Sequence, residues 1–348
     1  MRYKICHTMP NDQGIRRIYQ EVTYTLKDTR GFALILTILI ISLIMVLTLQ
    51  FNNAMWAGLY SSANLRDTIR CDLIARSGIH CAMAVLSDDA ASSGVDSLQE
   101  TWAQTKALSL NSASMFEEGR FDVSISDLSG KIQINHLINE KGEYNDVQKM
   151  LLTRFLSLEP FQLEPEAVGN LIDAIKDWID PDNEVTRFGA ENGYYQSLEN
   201  PYACKNGPID SLGQIRFIKG MTRALFFGTE DRPGIADSLT VYGDGKININ
   251  TAGPLVLRAL SEDIDTGMVE DMMAYRLDKK NDLTDPVWYH KVSGMGDVTI
   301  NPALIKTSSD TFEIESEGMT DVMSKQKVAA VVKRGEGSSL KTVLWNVD

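Results

Sequence analysis

The residues best placed to do chemistry in this sequence are oxygen ligands. Asp177, Asp180, Asp182, Glu184 and Glu191 lie close together, and Asn192 follows directly. Carboxylates on a loop suit a hard cation, calcium above all, which takes about six to eight oxygens in flexible geometry. The spacing of Asp180, Asp182, Glu184 and Glu191 resembles positions one, three, five and twelve of an EF-hand loop. Val185 stands where that loop needs glycine, and Pro181 occupies its second position. An irregular calcium loop drawing on Asp177, Asp180, Asp182, Glu191 and Asn192 is therefore the expectation. The competing reading is a solvated acidic loop in which Asp177 or Asp180 ends a helix.

Catalytic patterns are missing from the sequence. It has no Gly-x-Ser-x-Gly elbow, no His-Glu-x-x-His and no phosphate loop. His7, His80, His136 and His290 are scattered, and the paired carboxylates lack a cleft signature, so no enzyme is expected. The formal net charge of -13 repels nucleic acid and anionic membrane surfaces. Of the four cysteines, Cys71 and Cys81 share one predicted helix at a separation of about 15 Å, too far to bond each other. Either could reach Cys204, and no Cys/His spacing suggests zinc.

Helices and strands must position the acidic loop. Val147 to Leu156, Pro165 to Trp178, Leu212 to Phe227 and Met268 to Lys280 show helical periodicity. Asn52 to Leu86 reads as a helix ending in a loop over 87–95, and Thr101 to Leu108 as a shorter one. Phe121, Val123 and Ile125, then Ile132 and Ile134 beyond Ser129-Gly130, predict a hairpin. A second copy follows at Leu239, Val241, Gly243-Asp244-Gly245, Ile247 and Ile249. The strings Gly130-Lys131-Ile132-Gln133-Ile134-Asn135 and Gly245-Lys246-Ile247-Asn248-Ile249-Asn250 suggest internal duplication, against chance likeness of two turns. Strands are expected at 311–318, 325–332 and 340–347, with a turn near Asp321.

The N-terminal part dictates the architecture. Phe32 to Leu49 is an uncharged run of about eighteen residues, near the length that spans a bilayer as a helix. Arg16, Arg17, Lys27 and Arg30 precede it, which predicts a cytoplasmic N-terminus and an exported body. The segment Thr29-Arg30-Gly31-Phe32-Ala33-Leu34-Ile35-Leu36 resembles the processing site of type IV prepilins and type II secretion pseudopilins, cut between Gly31 and Phe32. An uncut signal anchor is the alternative. The fifth residue after such a cut is Leu36, where most of these subunits carry glutamate. That absence marks the protein K family of type II secretion. The strings Asp177-Trp178-Ile179-Asp180-Pro181-Asp182, Gly189-Ala190-Glu191-Asn192, Pro201-Tyr202, Asn206-Gly207-Pro208, Ile218-Lys219-Gly220-Met221 and Ile247-Asn248-Ile249-Asn250-Thr251-Ala252 are similar to that family too. Its leader, 1–30, is longer than usual, and Met9 is a second candidate start.

The resemblance implies an α+β fold: a pilin-like long N-terminal helix packed on an antiparallel sheet, with a large, mostly helical insertion. The expected divisions are a leader at 1–31, the transmembrane and long helix at 32–86, a body at 87–135 and 238–348, and the insertion at 136–237. It also implies an inner-membrane subunit with a periplasmic body that initiates or caps the pseudopilus at its tip. The implied partners are other minor pseudopilins, the major pseudopilin, a prepilin peptidase and inner-membrane secretion machinery. The loop of 177–192 is compatible with calcium in the family. Two alternatives stay open: a minor pilin of a type IV pilus, and a membrane-anchored helix-hairpin-helix DNA-uptake protein. The second is suggested by Ile218-Lys219-Gly220-Met221 and opposed by Thr222 at the second glycine position and by the charge.

Overall fold

The computed structural model describes residues 29–92, 94–320, 325–335 and 337–347. The basic leader, Cys6, His7, Met9 and the turn expected near Asp321 lie outside them. The chain divides into two units, Met1–Arg66 and Asp67–Asp348.

One helix, Thr29–Ser92, begins in the first unit and ends in the second. It outlasts its predicted end at Leu86. Within the first unit its apolar side chains from Phe32 to Phe51 are exposed, giving a hydrocarbon surface that no protein core covers. Among the described residues it is the one helix long and apolar enough to cross a membrane.

In the second unit the helix becomes amphipathic. Ile74, Ala75, Ile79, Ala82 and Leu86 recur at three- and four-residue steps and pack on the inner face of a sheet. Four antiparallel strands form that sheet in the order Arg120–Asp127, Thr311–Met319, Lys325–Arg334 and Leu340–Val347. Alternation places Phe121, Val123, Phe312, Ile314, Val328, Ala330 and Val332 toward the helix. Burying each large side chain contributes roughly 1.5–3 kcal/mol. Gly318 allows the close approach: a Cβ there would run into the main-chain carbonyl of Cys71 and sit 2.6 Å from the Ala75 nitrogen. A long helix packed on an antiparallel sheet, with a helix-rich region beside it, is a pilin-like α+β fold.

The first two strands of the sheet are neighbours in space, so the chain leaves at Asp127 and returns at Thr311. What lies between builds a second core. Its buried residues run from Ile132 to Ile305, including Leu151, Phe155, Leu171, Ile175, Trp178, Ile215, Leu239, Ile247, Leu257, Met272 and Trp288. Helices at Asp146–Leu156, Pro165–Ile179 and Thr266–Leu277 match the expected periodicity closely. Leu212 to Phe227 does not form one helix. It breaks into a 3-10 turn at Leu212–Phe217 and a short helix at Arg223–Phe227, separated by Gly220 at a φ of 86°.

The two predicted hairpins are not formed. Asp127 caps a 3-10 turn at Leu128–Gly130 by accepting the Ser129 amide at 2.7 Å, which turns the chain away from the sheet. Ile132–Gln133 then pairs in parallel with Leu239–Thr240, and Ile247–Asn248 in parallel with Ile305–Lys306. Each similar string therefore opens a unit closed by a distant strand. Each opening strand is followed by two helices, Asp146–Leu156 and Pro165–Ile179 or Pro254–Ala259 and Thr266–Leu277, and by a later 3-10 turn at Leu212–Phe217 or Trp288–Lys291; the first unit adds the short helix Asn192–Gln196. After the turn, Ile218-Lys219-Gly220-Met221 and Val292-Ser293-Gly294-Met295 bond alike: Met221 N donates to Ile218 O and Met295 N to Val292 O, both at 3.1 Å. Gly220 and Gly294 share positive φ, at 86° and 77°. The shared order of elements supports duplication over chance likeness.

Candidate cation site

The helix Pro165–Ile179 starts with proline in its first turn and buries Val168, Leu171, Ile172, Ile175 and Trp178 in the second core. Asp173 and Asp177 are four residues apart and Asp180 is three further on, so all three project near the helix C-terminal end. Carboxylates there oppose the helix dipole, so their placement needs a compensating positive charge. Asp180 is itself the C-cap, extended at φ -78° and ψ 160°, and Pro181 prevents continuation. The loop then swings back, and Gly189 passes against the helix. A Cβ on Gly189 would collide with the Asp177 carboxylate and lie 2.9 Å from the Asp173 carbonyl. Glu191 follows as N-cap residue of the short helix Asn192–Gln196.

This return path gathers Asp177, Asp180 and Glu191, whose ligand oxygens all lie within 4.8 Å of one another. Asp177 and Asp180 are 0% exposed and Glu191 is 3% exposed. Both Asp177 oxygens accept the Thr186 amide at 3.1 Å. Lys176 Nζ donates to Asp180 Oδ2 at 2.5 Å and to Thr186 Oγ1 at 2.9 Å. Among the described residues, Asp180 Oδ1 and both Glu191 oxygens are buried without a hydrogen-bond partner. Burial pushes the carboxyls of Asp177 and Asp180 upward. Glu191 is pushed up to about 7, first by burial and then by the charges of Asp177 and Asp180.

Three buried carboxylates against one ammonium leave negative charge in a site shielded from water. Such a group either holds a proton or holds a cation. Hard oxygen donors, three of them unpartnered, fit a divalent cation of the calcium class.

Of the other residues named from the sequence, Asp182 and Asn192 point their hydrogen bonds elsewhere. Asp182 is exposed and accepts the Glu184 amide at 2.7 Å. The Asn192 side chain accepts the Cys204 amide at 3.2 Å. Glu184 is exposed. Lys176 and Gly189 were not singled out by sequence reasoning. The four-residue spacing of Lys176 and Asp180 was a readable signal for the first, whereas the role of Gly189 depends on the loop's return.

A second acidic group, Asp89, Asp96 and Glu100, is drawn together at the end of the long helix. Here the positive charge is built in. Arg334 donates to Asp89 Oδ2 at 2.7 Å and to Asp96 Oδ1 at 2.6 Å. Glu100 Oε2 accepts from Ser97 N and Trp102 Nε1. Burial still pushes Asp96 up to about 6. Cys204 is a free thiol, so neither pairing with it is made.

Gly31, Phe32 and Leu36 occupy the first turns of the long helix. Phe32 and Leu36 are exposed, and nothing lies within 4 Å of the Gly31 Cβ position.

The sequence profile of a family described as type II secretion system (T2SS), protein K, matches residues 130–227, which include the whole acidic loop. The type II secretion system protein K of Klebsiella pneumoniae is 27% identical over 203 residues, 57% of this chain and 60% of that protein. The Aeromonas hydrophila protein K is 25% identical over 204 residues, 56% of this chain and 60% of its own length. Over these residues the chain is similar to the type II secretion system protein K family. It spans about 60% of the length of the curated protein K relatives it matches. The fold is similar to a chain in the crystal structure of the GspK-GspI-GspJ complex from enterotoxigenic Escherichia coli, with a TM-score of 0.61 and 14% identity. That likeness covers 86% of this chain and 98% of the other.

Proposed function

We propose that this chain is a minor pseudopilin at the tip of the type II secretion pseudopilus, where it initiates and caps assembly and supports export of folded proteins across the outer membrane. Its role is structural rather than catalytic. The observation that carries the reading is the insertion between adjacent strands. A pilin-like helix and sheet bear a second core larger than the first, which favours a broad head over a repeating shaft subunit. Leu36 supports the same position, since a subunit without a carboxylate there has no charge to offer the amine of a subunit ahead of it. In this reading the leader 1–31 is removed between Gly31 and Phe32, and the remaining 28 Lys and Arg against 44 Asp and Glu give a body of charge -16. The N-terminus is cytoplasmic, the apolar run crosses the inner membrane once, and the body is periplasmic. The head corresponds to the expected insertion at 136–237, and the reach of the second core to Ile305 supports a later downstream border.

Other minor pseudopilins are the neighbours, as the solved GspK-GspI-GspJ assembly suggests by analogy of fold. The major pseudopilin, the prepilin peptidase and the inner-membrane secretion machinery complete the set. The cation is calcium, held by Asp177, Asp180 and Glu191. Asp182 and Asn192 would join only by exchanging their present hydrogen bonds.

The decisive experiment is the mass and N-terminal sequence of membrane-extracted protein, with and without a co-expressed prepilin peptidase, joined to a secretion assay in a strain lacking its own protein K. A form beginning at Phe32 and restored secretion are expected. An intact leader in both samples would overturn the reading.

A further inference from the structure

A chain with 47 acidic residues against 34 basic ones presents one surface of the opposite character. On the helical region, Phe188, Tyr194, Phe217 and Phe227 are 62%, 40%, 50% and 55% exposed. Edge-on and tilted rings join two of them: Tyr194 lies 5.2 Å from Tyr195, which is 5.3 Å from Tyr202, which is 5.6 Å from Phe217. Three cations are set among these rings. Lys219 Nζ is 5.2 Å from the centre of Tyr194 and donates to the carbonyls of Phe188 and Gly189, both at 3.0 Å. The guanidinium groups of Arg216 and Arg223 lie 5.6 Å and 5.7 Å from the centre of Phe227.

Most basic side chains in this unit with ionic contacts meet carboxylates: Arg76 with Asp72, Lys176 with Asp180, Lys306 with Asp244, and Arg334 with Asp89 and Asp96. Arg216, Lys219 and Arg223 do not. Among the described residues Arg216 and Lys219 donate to carbonyl oxygens, and all three charges face rings. Rings fix a guanidinium without neutralising it and leave its donor edge free for a carboxylate. Exposed aromatic rings beside such arginines also form the energetic centre of many protein interfaces.

We propose that this patch is a docking surface for an acidic segment of a partner protein, one that carries carboxylates for Arg216, Lys219 and Arg223 and apolar or aromatic side chains for Phe217 and Phe227. Charge complementarity selects the sign of the partner, and the exposed phenylalanines select a protein over a pure polyanion. The four exposed rings include no tryptophan, the residue that with tyrosine marks a membrane interface. A long nucleic-acid strand would meet repulsion from the surrounding acidic surface. The surface is independent of the tip assignment, and Lys219 borders the cation-site loop through the carbonyls of Phe188 and Gly189.

The test uses the full chain in phosphatidylcholine nanodiscs and a fluorescent random copolymer of glutamate and tyrosine, followed by anisotropy. The expected result is salt-sensitive micromolar binding. The double variant Arg216→Gln with Arg223→Gln should lose at least about tenfold in affinity, and Phe217→Ser with Phe227→Ser a similar amount, while the thermal midpoint stays within about 2 °C. Poly-glutamate, which has charge and no rings, should bind more weakly. No binding at about 100 μM copolymer would overturn the proposal, as would unchanged affinity in folded arginine variants. It would also fail if anionic phosphatidylglycerol vesicles or a single-stranded oligonucleotide bound the patch more tightly than the copolymer.

Discussion

Glu191 makes the cation site testable without any cation. Its carboxyl ionises near 7 in the folded chain instead of at its ordinary 4.5. The folded state therefore keeps a proton over a pH range in which the unfolded state has lost it. Stability falls as pH rises from about 4.5, and the full penalty is present above about 7. The gap corresponds to about 3 kcal/mol. In the proposed reading calcium would reverse the sign of the effect, because it would bind the ionised carboxylate. At a hundredfold excess over its dissociation constant it adds about 2.7 kcal/mol.

The perturbation is Glu191→Gln. Glutamine cannot titrate, and burying its amide costs about 1–3 kcal/mol wherever its donors stay unpaired, so the informative quantity is slope and not absolute stability. Urea unfolding in chelator at pH 5, 6, 7 and 8 is followed by tryptophan fluorescence, to which Trp178 beside the site contributes as a buried indole packed edge-on 5.0 Å from Tyr195. The wild type should lose about 3 kcal/mol more than the variant across this window, and only the wild type should gain stability from calcium. Asp96 also titrates high, near 6, but contributes to both proteins and cancels. Equal slopes in the two proteins, or equal calcium stabilisation, would refute the reasoning.

Gly189→Ala should abolish calcium stabilisation and lower the unfolding midpoint in chelator, because its Cβ enters the space of the Asp177 carboxylate; calorimetry with calcium and a thermal melt check both. Gly318→Ala drives a Cβ into the backbone of the long helix at Cys71 and should destabilise the sheet unit by about 2 kcal/mol or more, read by chemical denaturation. Arg334→Met leaves Asp89 and Asp96 buried without their cation and should cost about 3–5 kcal/mol at pH 8. Part of that loss should return as pH falls from 8 toward 6, because without Arg334 to hold its pKa down Asp96 takes up a proton earlier than in the wild type, which unfolding at several pH values would show.

What the sequence made legible was local. The helices at Asp146–Leu156 and Pro165–Ile179 announce themselves by apolar spacing. Asp177, Asp180 and Glu191 were visible as acids on a loop, but their unpartnered oxygens exist only because the loop returns past Gly189. The hairpins were misread because Phe121, Val123, Ile132 and Ile134 alternate as hairpin residues do, while the partners of Ile132 and Ile247 lie at Leu239 and Ile305. Alternation reports a buried face and says nothing of which strand lies alongside. Arg334 and Asp89 are 245 residues apart, beyond any spacing rule.

Comparison of the two similar units favours the proposed cation over an acidic loop that merely tolerates its charge. In the second unit the helix Thr266–Leu277 is followed by Asp278, Asp282 and Asp285, a density of acids much like that after the first helix. Each of those three is exposed and accepts a nearby backbone amide, from Lys280, Thr284 and Val287, at 3.0 Å. The positive charge near that helix end is Arg276, which is 3% exposed and donates to the Ala252 carbonyl at 2.6 Å. Burial lowers its pKa only to about 10, so it is charged at neutral pH. The second unit thus meets the dipole of its helix with its own guanidinium and leaves its acids to water and turns. The first unit does the reverse: it buries three carboxylates at the same place, supplies one lysine, and leaves three oxygens unanswered. Substituting Asp180→Asn would remove one of those charges and free Lys176, and it should weaken calcium binding while making the unit more stable in chelator. A structural acid whose worth lay in its bond to Lys176 would give the opposite result in chelator.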